Sequence, residues 1–333
     1  MKLLVTGGAG FIGSNFIHLV LAELPEWEIV NLDKLTYAGN LANLKDVEGD
    51  RRYTFVKADI CDAKAVAEAA AGCDVIVNFA AETHVDRSIM EPMAFLRTDM
   101  EGTFVLLETV REGTAGKLLQ VSTDEVYGSI LEGAANEGFP LRPSSPYAAS
   151  KAGADLLCLS YWTTYRTPVV ITRGANNIGP YQYPEKVVPL FATNALDGMP
   201  LPMYGDGMQV RDYTHVEDHC RGILLALDKG EPGEVYNIGA DNEMSNIEMA
   251  RLLLAELGKP ESLIEHVKDR PGHDRRYALD SSRLRGLGWK PRYDATKALA
   301  AAVRWYAENR WWWEPIKTGE LYRAYYRRQY EER

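Results

Sequence analysis

Gly7, Gly10 and Gly13 stand three residues apart, directly after the apolar run Leu3-Leu4-Val5 and at the head of an amphipathic stretch over residues 11–24. Few features constrain a fold more tightly. A strand that turns this sharply into a helix needs residues without Cβ, so that backbone N–H groups and the helix N-terminus can approach a pyrophosphate. About twenty residues on, Asp33 ends the next apolar run, Glu28-Ile29-Val30-Asn31-Leu32, where a carboxylate accepts hydrogen bonds from adenosine ribose hydroxyls. An acid there repels a 2′-phosphate, so the two features together predict bound NAD rather than NADP.

Short apolar runs continue at Thr54-Phe55-Val56, Val75-Ile76-Val77-Asn78-Phe79, Lys117-Leu118-Leu119-Gln120-Val121 and Val169-Val170-Ile171, with an alanine-rich helix expected over residues 63–71. Runs apolar on both faces that alternate with helices imply an α/β fold with a doubly wound parallel sheet of Rossmann type. After about Arg173, breaks such as Gly179-Pro180-Tyr181 and Gly198-Met199-Pro200 announce a smaller, loop-rich C-terminal domain. The expected division is residues 1–172 for the dinucleotide and 173–333 for the substrate, with an interleaved boundary. Val235-Tyr236-Asn237-Ile238 and Asp212-Tyr213-Thr214 are the candidates to return to the first domain.

A chain of 333 residues buries enough surface to fold without disulfides or metal. Its net charge of −10 argues against a general nucleic-acid or anionic-membrane binder, though a local Arg and Lys cluster can still hold an anionic small molecule. The four cysteines (Cys61, Cys73, Cys158, Cys220) are scattered and read as reduced, buried thiols. No stretch has the length of a membrane span, and a cytoplasmic location is expected.

Tyr147 and Lys151 fall four apart on one helix face. A nearby ammonium and a positive nicotinamide favour the phenolate, so the tyrosine can take an alcohol proton while hydride leaves the carbon. Asp59-Ile60 follows the third run, where an adenine edge would lie. Ala80-Ala81 follows the fourth, small enough for the backbone to pass a cofactor. The fifth ends in Ser122-Thr123-Asp124-Glu125, at the strand ends that border the ligand crevice of such a sheet. Two carboxyls in different surroundings can divide labour, one protonated as acid and one ionised as base. An enzyme that removes water has use for both.

The glycine turn, the strand ending in Ser122-Thr123 and the Tyr147–Lys151 pair together resemble the extended short-chain dehydrogenase/reductase family, over essentially the whole chain. Longer strings are similar to its dTDP-glucose 4,6-dehydratase branch: Leu32-Asp33-Lys34-Leu35-Thr36-Tyr37-Ala38-Gly39-Asn40, Ala80-Ala81-Glu82-Thr83-His84-Val85-Asp86-Arg87-Ser88, Ser122 to Gly128, Asn176-Asn177 with Gly179-Pro180-Tyr181-Gln182, and Asp269-Arg270-Pro271-Gly272-His273-Asp274. Epimerases of the family lack the acid pair. Decarboxylases and GDP-mannose dehydratases tend to carry Ser before the Glu, and CDP-glucose dehydratases replace the Glu.

The resemblance implies a lyase that converts dTDP-glucose to dTDP-4-keto-6-deoxyglucose, a step of deoxysugar biosynthesis with rhamnose among its outlets. Tyr147 would take the C4 hydroxyl proton, Glu125 the C5 proton, and Asp124 would protonate the departing C6 hydroxyl. Thr123 would bond the C4 oxygen, with Lys151 beside Tyr147. NAD would be tightly bound and regenerated each turnover. The implied cofactor contacts are Gly7, Gly10, Phe11, Ile12 and Gly13, then Asp33, Lys34, Thr36, Asp59, Ile60, Ala80 and Ala81, and finally Thr98, Ser122, Tyr147, Lys151 and Asn177. For the nucleotide sugar they are Thr83, His84, Thr123, Asn176, Lys186 and Val187, then Pro202, Tyr204, Arg211, Asn246, Arg270, His273 and Tyr277. Pro202, Met203 and Tyr204 could flank the thymine. A homodimer through the helix after Thr98 and the helix of Tyr147 is implied as well. A sugar-nucleotide 4-epimerase, a dehydratase for another nucleotide-glucose and a non-catalytic NAD sensor are the alternatives.

Three features stand apart. His215 and His219, four apart, have a zinc-compatible spacing, but no third ligand is evident and structural histidines are expected. Trp311-Trp312-Trp313 is expected to pack the C-terminal segment onto the body. Asp99 stands where the family usually has Asn, and cannot donate as an amide does.

Overall fold

The computed structural model describes residues 1–331. Twelve strands follow one another along these residues: β1 (Lys2–Thr6), β2 (Glu28–Asp33), β3 (Tyr53–Lys57), β4 (Val75–Asn78), β5 (Lys117–Thr123), β6 (Val169–Gly174), β7 (Asn176–Ile178), β8 (Leu201–Tyr204), β9 (Val210–His215), β10 (Val235–Ile238), β11 (Glu243–Ser245) and β12 (Ile264–Val267). Seven of them make one parallel sheet in the order β10-β6-β5-β4-β1-β2-β3. The order reverses between β1 and β4, which opens a crevice beyond the carboxyl ends of the strands there.

Period-two alternation decides which layer each side chain enters. Leu3, Val5, Ile29, Val77, Leu119 and Val170 face one layer, closed by Phe16, Ile17 and Val20 of the helix Phe11–Glu23 and by Cys220 and Ile223 of the helix Val216–Lys229. Their neighbours Leu4, Val30, Ile76, Leu118 and Val169 face the other. That layer is closed by Val66, Leu106, Val110 and Cys158, from the helices Ala63–Ala70, Gly102–Arg111 and Pro146–Tyr165. Each such apolar side chain contributes about 1.5–3 kcal/mol on burial, which explains why these strands read as unbroken apolar runs.

The chain does not divide at one point. β10 pairs with β6 and completes the edge of the large sheet, whereas residues 210–215 pair with β7 and β11 in a separate three-stranded sheet. The helix Val216–Lys229 lies between them in sequence and packs on the large sheet. The second lobe has its own core, in which Phe191, Tyr213, Leu253, Val303 and Tyr306 surround Trp312 and Trp313. Trp312 donates from its indole to Asn43 Oδ1 (2.7 Å) and Trp313 to the Tyr306 carbonyl (2.8 Å), while Trp311 is exposed. The tryptophan run thus ties the C-terminal region to the first lobe. Cys73, Cys158 and Cys220 are buried and unpaired; Cys61, also unpaired, is only partly buried. No helix among the described residues is long and apolar enough to cross a membrane.

Candidate active site

Two cavities meet at the crevice, and Gln182, Glu185 and Lys186 line both. The first encloses about 1300 Å³ of empty space, counting the open solvent at its mouth. Its floor is the glycine turn. Gly7 has φ +69°, and a Cβ there would sit 2.5 Å from the Ala80 nitrogen; a Cβ on Gly13 would sit 2.4 Å from the Gly7 carbonyl. A cradle that tight fits a ligand approached by backbone alone. At its far end the Asp33 carboxylate accepts from the amides of Ala9 (2.9 Å) and Leu35 (2.8 Å), fixing it at the rim. The Lys34 ammonium lies 2.6 Å from Asp59. These residues fit NAD: a bare backbone turn for the pyrophosphate and an oriented carboxylate for the ribose. Every expected cofactor residue lines this cavity except Asn177, which lines the second; Thr83, expected at the sugar, lines the first.

The helix Pro146–Tyr165 begins where Ser145 accepts from the Ala148 amide (3.1 Å) and Pro146 occupies the first turn. That start carries Tyr147 into the first cavity and puts Lys151 one turn on, its ammonium donating to the Val121 carbonyl (2.8 Å). Burial, then the carboxylates Glu125 and Asp99, push the Tyr147 phenol well above its ordinary value, against the pull of the Thr123 hydroxyl. Burial and these carboxylates favour the protonated phenol, and added positive charge beside it favours the phenolate.

The two acids after β5 have different surroundings. Asp124 is 3% exposed; its Oδ1 accepts from the Thr123 hydroxyl (3.2 Å) and its Oδ2 has no hydrogen-bond partner among the described residues. Burial and then the neighbouring Glu125 raise Asp124 well above its ordinary value, which favours the protonated form. Glu125 faces the second cavity and is raised by burial too, but Arg270, Lys186 and Arg211 pull against that rise. One acid and one potential base stand side by side.

The second cavity is ringed with cations and orphan polar atoms. Arg211 lies 4.2 Å above the Tyr277 ring, and its guanidinium donates to the carbonyls of Val210 (2.7 Å) and Asp274 (2.9 Å). Arg270 sits 3.5 Å from Asp86 with its Nε unpaired; Asn176 Oδ1, Asn177 Oδ1 and Gln182 Oε1 also lack partners among the described residues. Buried polar atoms rarely go unpaired, and such a ring suits an anionic, polar ligand. His273 is held by Asp269 (2.6 Å), with burial pushing it down to about 4. Tyr213 donates to Asn246 (2.7 Å). His84, Val187, Pro202 and Tyr204 complete the expected lining. Thr123, Asp124 and Tyr277 line neither cavity and stand behind residues that do: Tyr277 under Arg211, Asp124 next to Glu125.

Sequence reasoning missed Tyr37, Glu82, Tyr183 and Glu185 of the first cavity and Asp86 and Tyr330 of the second. Tyr37, Glu82 and Asp86 sat inside strings already noted, but nothing in the strings showed which members turn inward. His215 caps the helix Val216–Lys229 and stacks 4.0 Å from Tyr293; His219 is buried against Gly174. No group of three or more potential metal ligands occurs among the described residues.

Residues 4–301 match the sequence profile of a family described as GDP-mannose 4,6 dehydratase. A dTDP-glucose 4,6-dehydratase of Actinoplanes sp. is 51% identical over 319 residues, covering 94% of this chain and all of that protein. The chain belongs to the dTDP-glucose 4,6-dehydratase family. A solved member of the family, DesIV of Streptomyces venezuelae with NAD bound, superposes with a TM-score of 0.93 at 52% identity, covering 95% of this chain and all of that one. A UDP-glucose 4-epimerase of Thermus thermophilus, complexed with NAD, stands further off: 32% identity and a TM-score of 0.85, covering 93% of this chain and all of that one. The family's fold, a parallel sheet flanked by helices, is the one described above.

Proposed function

We propose that this enzyme dehydrates dTDP-glucose to dTDP-4-keto-6-deoxyglucose. One observation carries the reading: the buried Asp124 carboxyl and the Glu125 carboxyl, which faces the second cavity, stand together just after β5, with Tyr147 and Lys151 on the wall of the adjoining cavity. The glycine turn and Asp33 would hold NAD, which supplies the hydride acceptor for C4 and the hydride donor for C6. Tyr147 takes the C4 hydroxyl proton, with Thr123 bonding the same oxygen. The resulting ketone acidifies the C5 proton, which Glu125 removes. Asp124 gives its proton to the C6 hydroxyl, which leaves as water. Arg211, Arg270 and Lys186 hold the diphosphate, and Pro202 and Tyr204 flank the base.

A 4-epimerase has no use for the two acids, and the higher identity to dehydratases agrees with that. The product is a 4-keto-6-deoxy sugar of the kind deoxysugar pathways, rhamnose formation among them, consume. The reading includes a cytoplasmic location, since free nucleotide sugars and NAD are the reactants, and a homodimer. The dimer is supported by exposed apolar side chains on two neighbouring helices, Phe104 (45%) and Leu156 (57%).

The test is incubation of the purified protein with dTDP-glucose in deuterated water, without added NAD. Loss of one water with deuterium gained at C5 is the expected result. A product isomeric with the substrate would replace this reading by the epimerase.

A further inference from the structure

Asp99 lies in a single π-helical turn, Leu96–Glu101, between the first cavity and the catalytic helix, and is 2% exposed. Its oxygens are used differently. Oδ1 accepts from the backbone amide of Glu82 (3.1 Å), on the segment that follows β4 along the first cavity. Oδ2 accepts from the Ser150 hydroxyl (2.5 Å), which is also 2.8 Å from the Tyr147 carbonyl. Ser150 sits between Tyr147 and Lys151 in the sequence, so one carboxylate ties the start of that helix to the cofactor wall. The charged groups that face it are Lys151, which favours its ionised form, and Glu82, which opposes it.

A neutral amide could make the same bonds. Its oxygen would accept from Glu82, its NH₂ would donate to Ser150, and the serine proton would turn to the Tyr147 carbonyl. The hydrogen bonds thus demand a planar polar group, and only the charge is particular to aspartate. We infer that Asp99 is a positioning residue for Tyr147 and Lys151: it fixes the first turn of their helix and supplies the negative charge against which the Tyr147 phenol must ionise. The inference rests on the reading of Tyr147 as the base.

Burial lifts Asp99 to about 6, against the pull of Lys151. In its ionised form it raises Tyr147. Removing the charge lowers the phenol's pKa and moves the rising limb of hydride transfer to lower pH.

The experiment follows reduced-cofactor absorbance in single turnovers of the holoenzyme with dTDP-glucose, across pH, for the wild type, Asp99→Asn, Ser150→Ala and Tyr147→Phe. Asp99→Asn is expected to move the midpoint of the rising limb down by about one pH unit, with its melting temperature nearly unchanged. Ser150→Ala keeps the carboxyl but loses the tie and the hydrogen bond that pulls Asp99 down, so its amplitude should fall several-fold while its midpoint moves less than that of Asp99→Asn. A superimposable Asp99→Asn limb, or an Asp99→Asn chain that fails to fold, overturns the inference. So does a Ser150→Ala limb that moves as far as the Asp99→Asn limb. Tyr147→Phe separates the two readings. If it still reduces the cofactor, the assignment of Tyr147 as base falls and takes this inference with it; if it is inert while the Asp99→Asn limb stays put, this inference falls alone.

Discussion

The Arg87 guanidinium meets the Glu185 carboxylate at 2.8 Å, in the wall between the two cavities. The same guanidinium lies 3.7 Å from the centre of the Tyr37 ring and 4.5 Å from that of Tyr325, and the Tyr37 hydroxyl also donates to Glu185 (2.9 Å). Removing one partner of such a pair strands the other's charge, which costs about 3–5 kcal/mol, whereas an apolar pair of similar volume can be nearly neutral. Glu185→Leu alone should therefore destabilise the protein more than Arg87→Met with Glu185→Leu together. Denaturant unfolding of the wild type, the two single variants and the double variant tests this, and simple additivity of the single variants would contradict it.

Tyr147→Phe removes the hydroxyl and leaves the ring against Phe95, whose centroid is 6.1 Å away. Turnover should fall by about 10²–10⁴-fold, the usual contribution of a positioned proton acceptor, with little change in melting temperature. Product formation measured by mass gives the first number and calorimetry the second.

Glu125→Gln should separate the first half of the reaction from the second. Tyr147 and Lys151 remain to support oxidation at C4, but no base remains for C5. Adding dTDP-glucose should then leave reduced cofactor on the protein, visible by its absorbance, and no deuterium should enter C5. Normal exchange in this variant would assign the base to another group.

In the proposed reaction Asp124 is the acid, and burial followed by the neighbouring Glu125 raises its pKa well above the ordinary carboxylate value. Activity that depends on it is present below that pKa and lost as pH climbs through it. Glu125 must be ionised to act, so activity that depends on it rises with pH through its own, less displaced value. The pH profile should be bell-shaped, and Asp124→Asn should flatten the alkaline side while lowering turnover about 10²-fold or more. An alkaline limb unchanged in Asp124→Asn would belong to another group.

Gly7→Ala places a methyl 2.5 Å from the Ala80 backbone at a positive φ. A non-glycine residue there costs about 1–2 kcal/mol in strain alone, and the clash pushes β4 away from the turn. The variant should purify with little NAD, measured in an acid extract of the protein.

Much of this site was readable in the chain because its signals are local. The glycines need a turn, Tyr147 and Lys151 need one helix face, and Asp124 and Glu125 follow a strand whose apolar run marks its end. The strands inside the sheet came through because both faces are buried, whereas β3, at its edge, is only partly buried. What stayed hidden was built by pairs far apart in sequence: Tyr37 with Glu185, Arg87 with Tyr325, Asp86 with Arg270. Each member alone resembles any surface charge or ring, and only the tertiary fold gives it a partner. The pairing of β8 with β12, separated by about sixty residues, was unreadable for the same reason. Trp312 and Trp313 were legible as packing groups by their apolar size, but not the Asn43 acceptor that one of them finds.

The path of residues 174–238, out to the small sheet and back to the edge of the large one, has a consequence for how such enzymes can be recombined. A fragment ending near residue 174 would carry β6 without β10, an unpaired edge with a row of open amides and carbonyls that invites association with other chains. The second lobe is therefore not a cassette. Specificity can be traded between relatives by changing side chains on a fixed frame, or by splicing at several junctions at once, but not by exchanging everything beyond a single cut. The same weaving denies the lobes a single hinge, so selection for a new sugar nucleotide has to act within the walls of the cavity.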